Sequence, residues 1–197
     1  MITRTLNQPW HVTAVGHSYG SLTVGQASQQ PGGIPADDIV LLGSPGVGVD
    51  KASDLGVGRD HVFVGAADND PVSRAPSPKK GAAGLLGTMI GGPPGGLLAY
   101  ELVGDDDKNW FGQDPASEGF GARRFRVNDG PRPVIHGDPF PAHSGYFDPD
   151  RDPYSARNIG VIVAGHPEKS QRRSRDEVSI DCSSGGGLGL VRLWGDW

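Results

Sequence analysis

Residues 10–20, WHVTAVGHSYG, leave the chain few ways to fold. Trp10 to Val15 are rich in β-formers and stop at Gly16, while Ser21 to Gln29 contain no proline and a single glycine. A strand must therefore hand over to a helix within Gly16-His17-Ser18-Tyr19-Gly20. So short a handover needs a strained turn, and the glycines on either side of it remove side chains that would collide there.

The segments that follow fit a sheet around this turn. After the turn signal PGGIP comes an unbroken apolar run, Ile39 to Leu42, closing on GSPGVGV, and then a second run, His61 to Gly65. Neither run alternates polar with apolar, as expected of strands buried on both faces. Joined through polar and helix-capable segments, they predict an α/β fold with a mostly parallel sheet flanked by helices. Ala122 to Val127, ARRFRV, reads as a further short strand, and Tyr154 to Val163 as a closing helix.

Length and composition set the remaining bounds. The 197 residues suffice for one domain with a substantial core. With 32 Gly and 17 Pro, about a quarter of the chain, long irregular loops are expected. Residues 74–96 are dense in Pro, Lys and Gly without periodicity, so 74–115 reads as a Gly/Pro-rich insertion or lid on a domain spanning 1–165. Residues 81–100 are uncharged and long enough for a membrane span, but seven glycines and Pro93-Pro94 make a poor helix, and no span is expected. From His166 onward the chain reads as an irregular tail with a solvated basic cluster of Lys169, Arg172, Arg173 and Arg175. A net charge of -5 and a pI near 5.6 supply no electrostatic reason for a nucleic-acid or anionic-membrane partner. The N-terminus has no apolar secretory core, which predicts a cytoplasmic chain, and the lone Cys182 excludes an intramolecular disulfide.

The turn itself carries chemistry. Gly16-His17-Ser18-Tyr19-Gly20 matches G-x-S-x-G, in which the strand-to-helix turn lifts the Ser18 hydroxyl clear of the backbone as a nucleophile. The start of the helix would aim backbone N–H groups, that of Tyr19 first, at a developing oxyanion. A serine nucleophile needs a base, and the base an orienting acid. Asp68 and Asp70 follow the second run in AADNDPVS, and His143 follows in PAHSGYFDP. Asp70, directly before Pro-Val, is preferred as the acid with Asp68 as its rival; His136 is the alternative base. His17, Tyr146 and Phe147 are candidates for lining a substrate pocket, with core filling an equal reading for Tyr146 and Phe147 and packing of the turn the alternative for His17. The stretch from Asp107 to Glu118 faintly echoes a calcium loop, but Phe111 occupies a ligand position and Pro115 breaks the exit. With no zinc-spaced Cys/His cluster, P-loop or dinucleotide fingerprint, neither a metal nor a cofactor is expected.

Five segments in order, VTAVGHSYGS, DDIVLLGSPGVGVD, HVFVGAADNDPVS, FGQDPASEGFGARRFRV and HSGYFDP, extend over residues 12 to about 165. Together they resemble the α/β-hydrolase superfamily, in particular a bacterial branch of functionally uncharacterised α/β-hydrolases. The resemblance implies Ser18 as nucleophile, His143 as base, an aspartate of the DND loop as orienter, and an ester, thioester or related acyl substrate. In that family the nucleophile turn follows the fifth strand, whereas only 17 residues precede Ser18 here. The expectation is thus the C-terminal part of such a fold, lacking N-terminal strands and the loop that supplies a second oxyanion donor. The nucleophile strand would then be an exposed edge, with poor stability or self-association as the consequence. A catalytically inactive fragment or interaction module is the alternative.

Overall fold

The computed structural model describes residues 10–73, 108–109, 111–132 and 141–173, with positions 91, 94 and 98. Among these residues four parallel strands form one sheet in the order β1 (Thr13–His17), β2 (Asp38–Leu42), β3 (Val62–Gly65) and β6 (Arg123–Arg124). A short antiparallel hairpin, β4 (Lys108–Asn109) and β5 (Gly112–Gln113), stands apart from it. Helix α1 (Tyr19–Ser28) follows β1 after one residue, and α2 (Pro153–Val163) follows the last strand.

The unalternating runs have the cause expected of them. Val40, Leu42 and Phe63 face Ile159 and Ile162 of α2, while Ile39, Leu41, Val62 and Val64 face Val47, Leu55 and Phe120, with Val24 of α1 packed beside them. Every residue of β2 and β3 is buried, because apolar neighbours cover both faces. The connection between β2 and β3 carries two 3-10 turns, Ala52–Leu55 and Arg59–His61, rather than an α-helix. The second absorbs His61, so β3 begins one residue later than the apolar run suggested.

Helix α2 starts where local chemistry dictates. Asp152 accepts the Ser155 N–H at 2.8 Å, and Pro153 occupies the first turn, where an N–H is not needed. Burial pushes the Asp152 carboxyl above its ordinary range, against the pull of the N–H groups of Ser155, Asn128 and Tyr154. In α1, Gly25 is a packing requirement: a Cβ there would lie 2.0 Å from the Val47 carbonyl oxygen. The helix thus rests directly on the loop after β2.

Among the described residues β1 is an edge strand, and Val12 and Val15 remain more than a third exposed. Within the expected insertion, the backbone of Phe111 is tied to Pro45 and Gly48, which seats residues 111–113 on the loop after β2. The basic cluster is not uniformly solvated. Residues 171–173 run beside β6, with Arg126 N–H on the Gln171 carbonyl at 2.8 Å and a bridge between Phe125 and Arg172. The side chain of Arg173 is drawn inward by carboxylates at the ends of two other segments. No helix among the described residues is long and apolar enough to cross a membrane. The apolar stretch 81–100 lies outside them apart from positions 91, 94 and 98, as do His136, Asp107, Arg175 and Cys182.

Candidate active site

Parallel strands deliver their C-terminal ends to one edge of the sheet, and the candidate residues collect there. Ser18 follows β1 with φ 57 and ψ -131, the only non-glycine residue with positive φ among those described. Such a backbone costs roughly 1–2 kcal/mol and persists only where surroundings impose it. Here the Ser18 N–H donates to the Leu42 carbonyl at 2.9 Å, and the Ser21 hydroxyl donates to the Gly16 carbonyl at 3.1 Å. Ser18 stands at the N-cap of α1 yet its hydroxyl makes no capping bond to the helix.

The two flanking glycines are not equivalent. A Cβ on Gly16 would lie 2.8 Å from the Ser21 Cα and 2.9 Å from the Gly20 carbonyl oxygen, so a side chain there is excluded. A Cβ on Gly20 would meet nothing within 4 Å. The expectation that both glycines relieve collisions is therefore corrected: Gly20 begins the helix facing open space.

Asp70 and His143 meet although 73 residues separate them: His143 Nδ1 lies 2.9 Å from Asp70 Oδ2. The carboxylate is fully buried and well supplied with donors. The Tyr146 hydroxyl donates to Oδ2 at 2.8 Å and the Val72 N–H to Oδ1 at 2.8 Å. Burial alone would raise this carboxyl, but the hydrogen bonds from His143, Tyr146 and Val72 outweigh it and hold Asp70 below the usual carboxylate range. An ionised, acceptor-only Asp70 fixes the proton of His143 on Nδ1, leaving Nε2 as the basic nitrogen.

Tyr146 takes the core place, the second of its two readings. It is 1% exposed, and its hydroxyl bridges the acid loop, accepting the Ala67 N–H at 2.9 Å while donating to Asp70. Burial, with the Asp70 charge beside it, pushes the phenol far above its ordinary range, so the hydroxyl stays a donor. Asp68, the rival acid, is paired with the Arg173 guanidinium.

His17 lies between the turn and the loop that bears His143. Its Nε2 is 2.9 Å from the His143 carbonyl oxygen and donates to it, and the two rings are 4.5 Å apart at 30°. Burial lowers the pKa of His17, against the pull of the His143 carbonyl, which favours the protonated ring. Phe147 meets the His17 ring edge-on at 5.7 Å and is half exposed. On the other side Tyr19, largely exposed, meets Phe111 edge-on at 5.8 Å. Aromatic rings thus stand against both chain neighbours of Ser18, Phe147 on His17 and Phe111 on Tyr19.

Gly43 was not singled out in the sequence, where it is one of several glycines in GSPGVGV. It has φ 50, and a Cβ there would lie 2.6 Å from Asp70 Oδ2 and 2.8 Å from His143 Nδ1. The end of β2 is therefore the floor beneath the Asp70–His143 contact. The pairing of Arg173 with Asp68 and Asp129 was not legible either, because a basic residue near Lys169 and Arg172 looks solvated without the fold.

Comparison with known proteins agrees with this architecture. Residues 2–79 match a family model described as alpha/beta hydrolase. An uncharacterized protein of Mycobacterium tuberculosis is 34% identical over 191 residues, 93% of this chain and 26% of that protein. An uncharacterized protein of Mycobacterium bovis is 49% identical over 100 residues, 48% of this chain and 36% of that protein. The chain spans about a quarter of the length of the first of these relatives. No solved structure gives a significant match. The family match over residues 2–79 and the parallel sheet flanked by helices make this an α/β-hydrolase fold.

Proposed function

We propose that this chain carries the reacting groups of a serine hydrolase acting on an ester, thioester or related acyl substrate. Ser18 Oγ attacks the acyl carbonyl; His143 Nε2 takes its proton and later returns it to the leaving group. Asp70 holds the imidazole tautomer and stabilises the imidazolium that forms. The Tyr19 N–H, first in α1 and so without an intrahelical acceptor, is the proposed donor to the oxyanion. Tyr146 orients Asp70, and His17 steadies the His143 loop. Water then attacks the acyl-Ser18 ester, His143 again acting as base, and the acid is released.

The observation that carries this reading is the part-buried contact of His143 Nδ1 with Asp70 Oδ2, at the edge of the sheet where a serine of positive φ follows β1. The family match supports the reaction class, and the aromatic surface of Tyr19 and Phe147 suits a small molecule with an apolar acyl group.

Labelling by a fluorophosphonate tests it, since Ser18 Oγ displaces fluoride from phosphorus and the adduct is read by intact mass and peptide mapping. Adduct at Ser18 that is lost in Ser18→Ala and strongly reduced in His143→Ala is the expected result. A folded chain that takes up no label would refute it and favour the second reading, a catalytically inactive fragment or interaction module.

A further inference from the structure

Of the charged groups outside the proposed reacting set, Arg173 has the most specific setting. Its side chain is 14% exposed, and its guanidinium spans three acceptors on two segments. Nη1 donates to the Ala66 carbonyl at 2.9 Å, while Nη2 donates to both Asp68 and Asp129, the latter at 3.1 Å. Ala66 is the first residue after β3, and Asp68 lies two residues before Asp70, so two contacts fall on the loop that carries the proposed acid. The third falls on the segment after β6, which holds the same loop independently: the Asp129 carbonyl accepts the Asn69 N–H at 3.1 Å, and the Gly130 carbonyl accepts Asn69 Nδ2 at 2.7 Å.

We propose that Arg173 is a positioning residue that clamps residues 66–70 so that Asp70 meets His143. The clamp depends on guanidinium geometry, because one planar fork reaches a carbonyl and two carboxylates at once; an ammonium acts as a point charge and does not span them. It also depends on charge. Asp68 and Asp129 share a single nitrogen, so removal of the guanidinium takes one positive charge from between two carboxylates and loosens the tie between the acid loop and the segment after β6. The backbone of residues 171–173 delivers the side chain by its pairing with β6, and Gln171 is pinned to Asn158 of α2 at 2.8 Å. The C-terminal segment is thereby part of the acid's support, far in sequence from the turn that bears Ser18.

This rests on the hydrolase reading, so the experiment includes one measurement that depends on it and one that does not. The first is the rate of fluorophosphonate labelling at Ser18 in the wild type, Arg173→Lys, Arg173→Ala and Asp68→Asn/Arg173→Ala. A displacement of about 1 Å at the reacting groups costs roughly 10²-fold, so Arg173→Ala should label about 10²-fold more slowly. Arg173→Lys should recover part of that rate, and the double variant should label faster than Arg173→Ala, since it removes one of the two carboxylate charges. The second is the Nδ1 proton of His143 by NMR, whose signal lies far downfield while that N–H donates to the Asp70 carboxylate. In Arg173→Ala this signal should move upfield or broaden through exchange with solvent. A wild type that fails to label refutes the hydrolase reading alone, and the Nδ1 proton still decides the clamp. An Arg173→Ala chain that is folded and leaves this signal unchanged overturns the proposal.

Discussion

Gly43 and Gly20 offer a matched pair of substitutions in which the structure and the motif disagree. Both are glycines next to the proposed reacting groups, and both would receive one methyl group. At Gly43 the backbone has φ 50, where a Cβ costs about 1–2 kcal/mol. The added atom would also lie 2.6 Å from Asp70 Oδ2, 2.8 Å from His143 Nδ1 and 2.9 Å from Tyr146 Cε2. Overfilling such a core costs about 1–3 kcal/mol more, because Asp70 and Tyr146 are buried and cannot give way freely. The combined loss, about 2–5 kcal/mol, lowers Tm by about 10 °C at the middle of that range for a chain of this size. The same atom wedges into the Asp70–His143 contact, so the labelling rate falls by about 10²-fold. Gly20→Ala, by contrast, meets nothing within 4 Å and sits in α1, where alanine is the better helix former. It should raise stability by about 0.5–1 kcal/mol, or Tm by about 1–4 °C, and leave labelling intact. Thermal melts and labelling time courses on the two variants suffice. A Gly43→Ala chain that melts and labels like the wild type would show that the floor beneath the pair is not as tight as described.

Two further substitutions address the hydrogen bonds and charges of the site. Tyr146→Phe strips one donor from Asp70 Oδ2 and the acceptor from the Ala67 N–H, both buried, for a loss of about 1–3 kcal/mol in urea unfolding; an unchanged midpoint would argue against the bridge. His17→Gln keeps a donor for the His143 carbonyl but removes a titrating ring whose folded pKa lies below 6.5. The unfolded chain therefore binds that proton first, and stability is complete above about pH 6.5 and declines as pH falls below it. The variant should lose less stability than the wild type between about pH 7 and about pH 5.5, measured by urea unfolding at each pH; equal losses would contradict a desolvated His17. Asp70 acts in a lower window: its carboxyl is held below 3.8, so its stabilisation is complete above about pH 4 and lost only as pH falls through the folded value.

The strand-turn-helix at Gly16 to Gly20, the buried runs that became β2 and β3, and the order of serine, aspartate and histidine were legible in the sequence. Local preferences and burial period determine such features, and both are written residue by residue. The boundaries were less so: His61 joined a 3-10 turn, and the strand read over 122–127 pairs with β3 only at Arg123–Arg124. What the chain text left open was which groups meet. Asp68 and Asp70 are two residues apart on one loop, and their separation into a partner of Arg173 and a partner of His143 depends on where residues 129 and 173 arrive. Tyr146 could be read as pocket wall or as core because its hydroxyl's acceptor lies 76 residues away. Gly43 was indistinguishable from its neighbours because the constraint on it comes from Asp70, His143 and Tyr146, none of them local. Local sequence determined the elements of this protein and its reactive residue types; tertiary structure decided their partners, because hydrogen bonds and charges act through distances that only the folded chain defines.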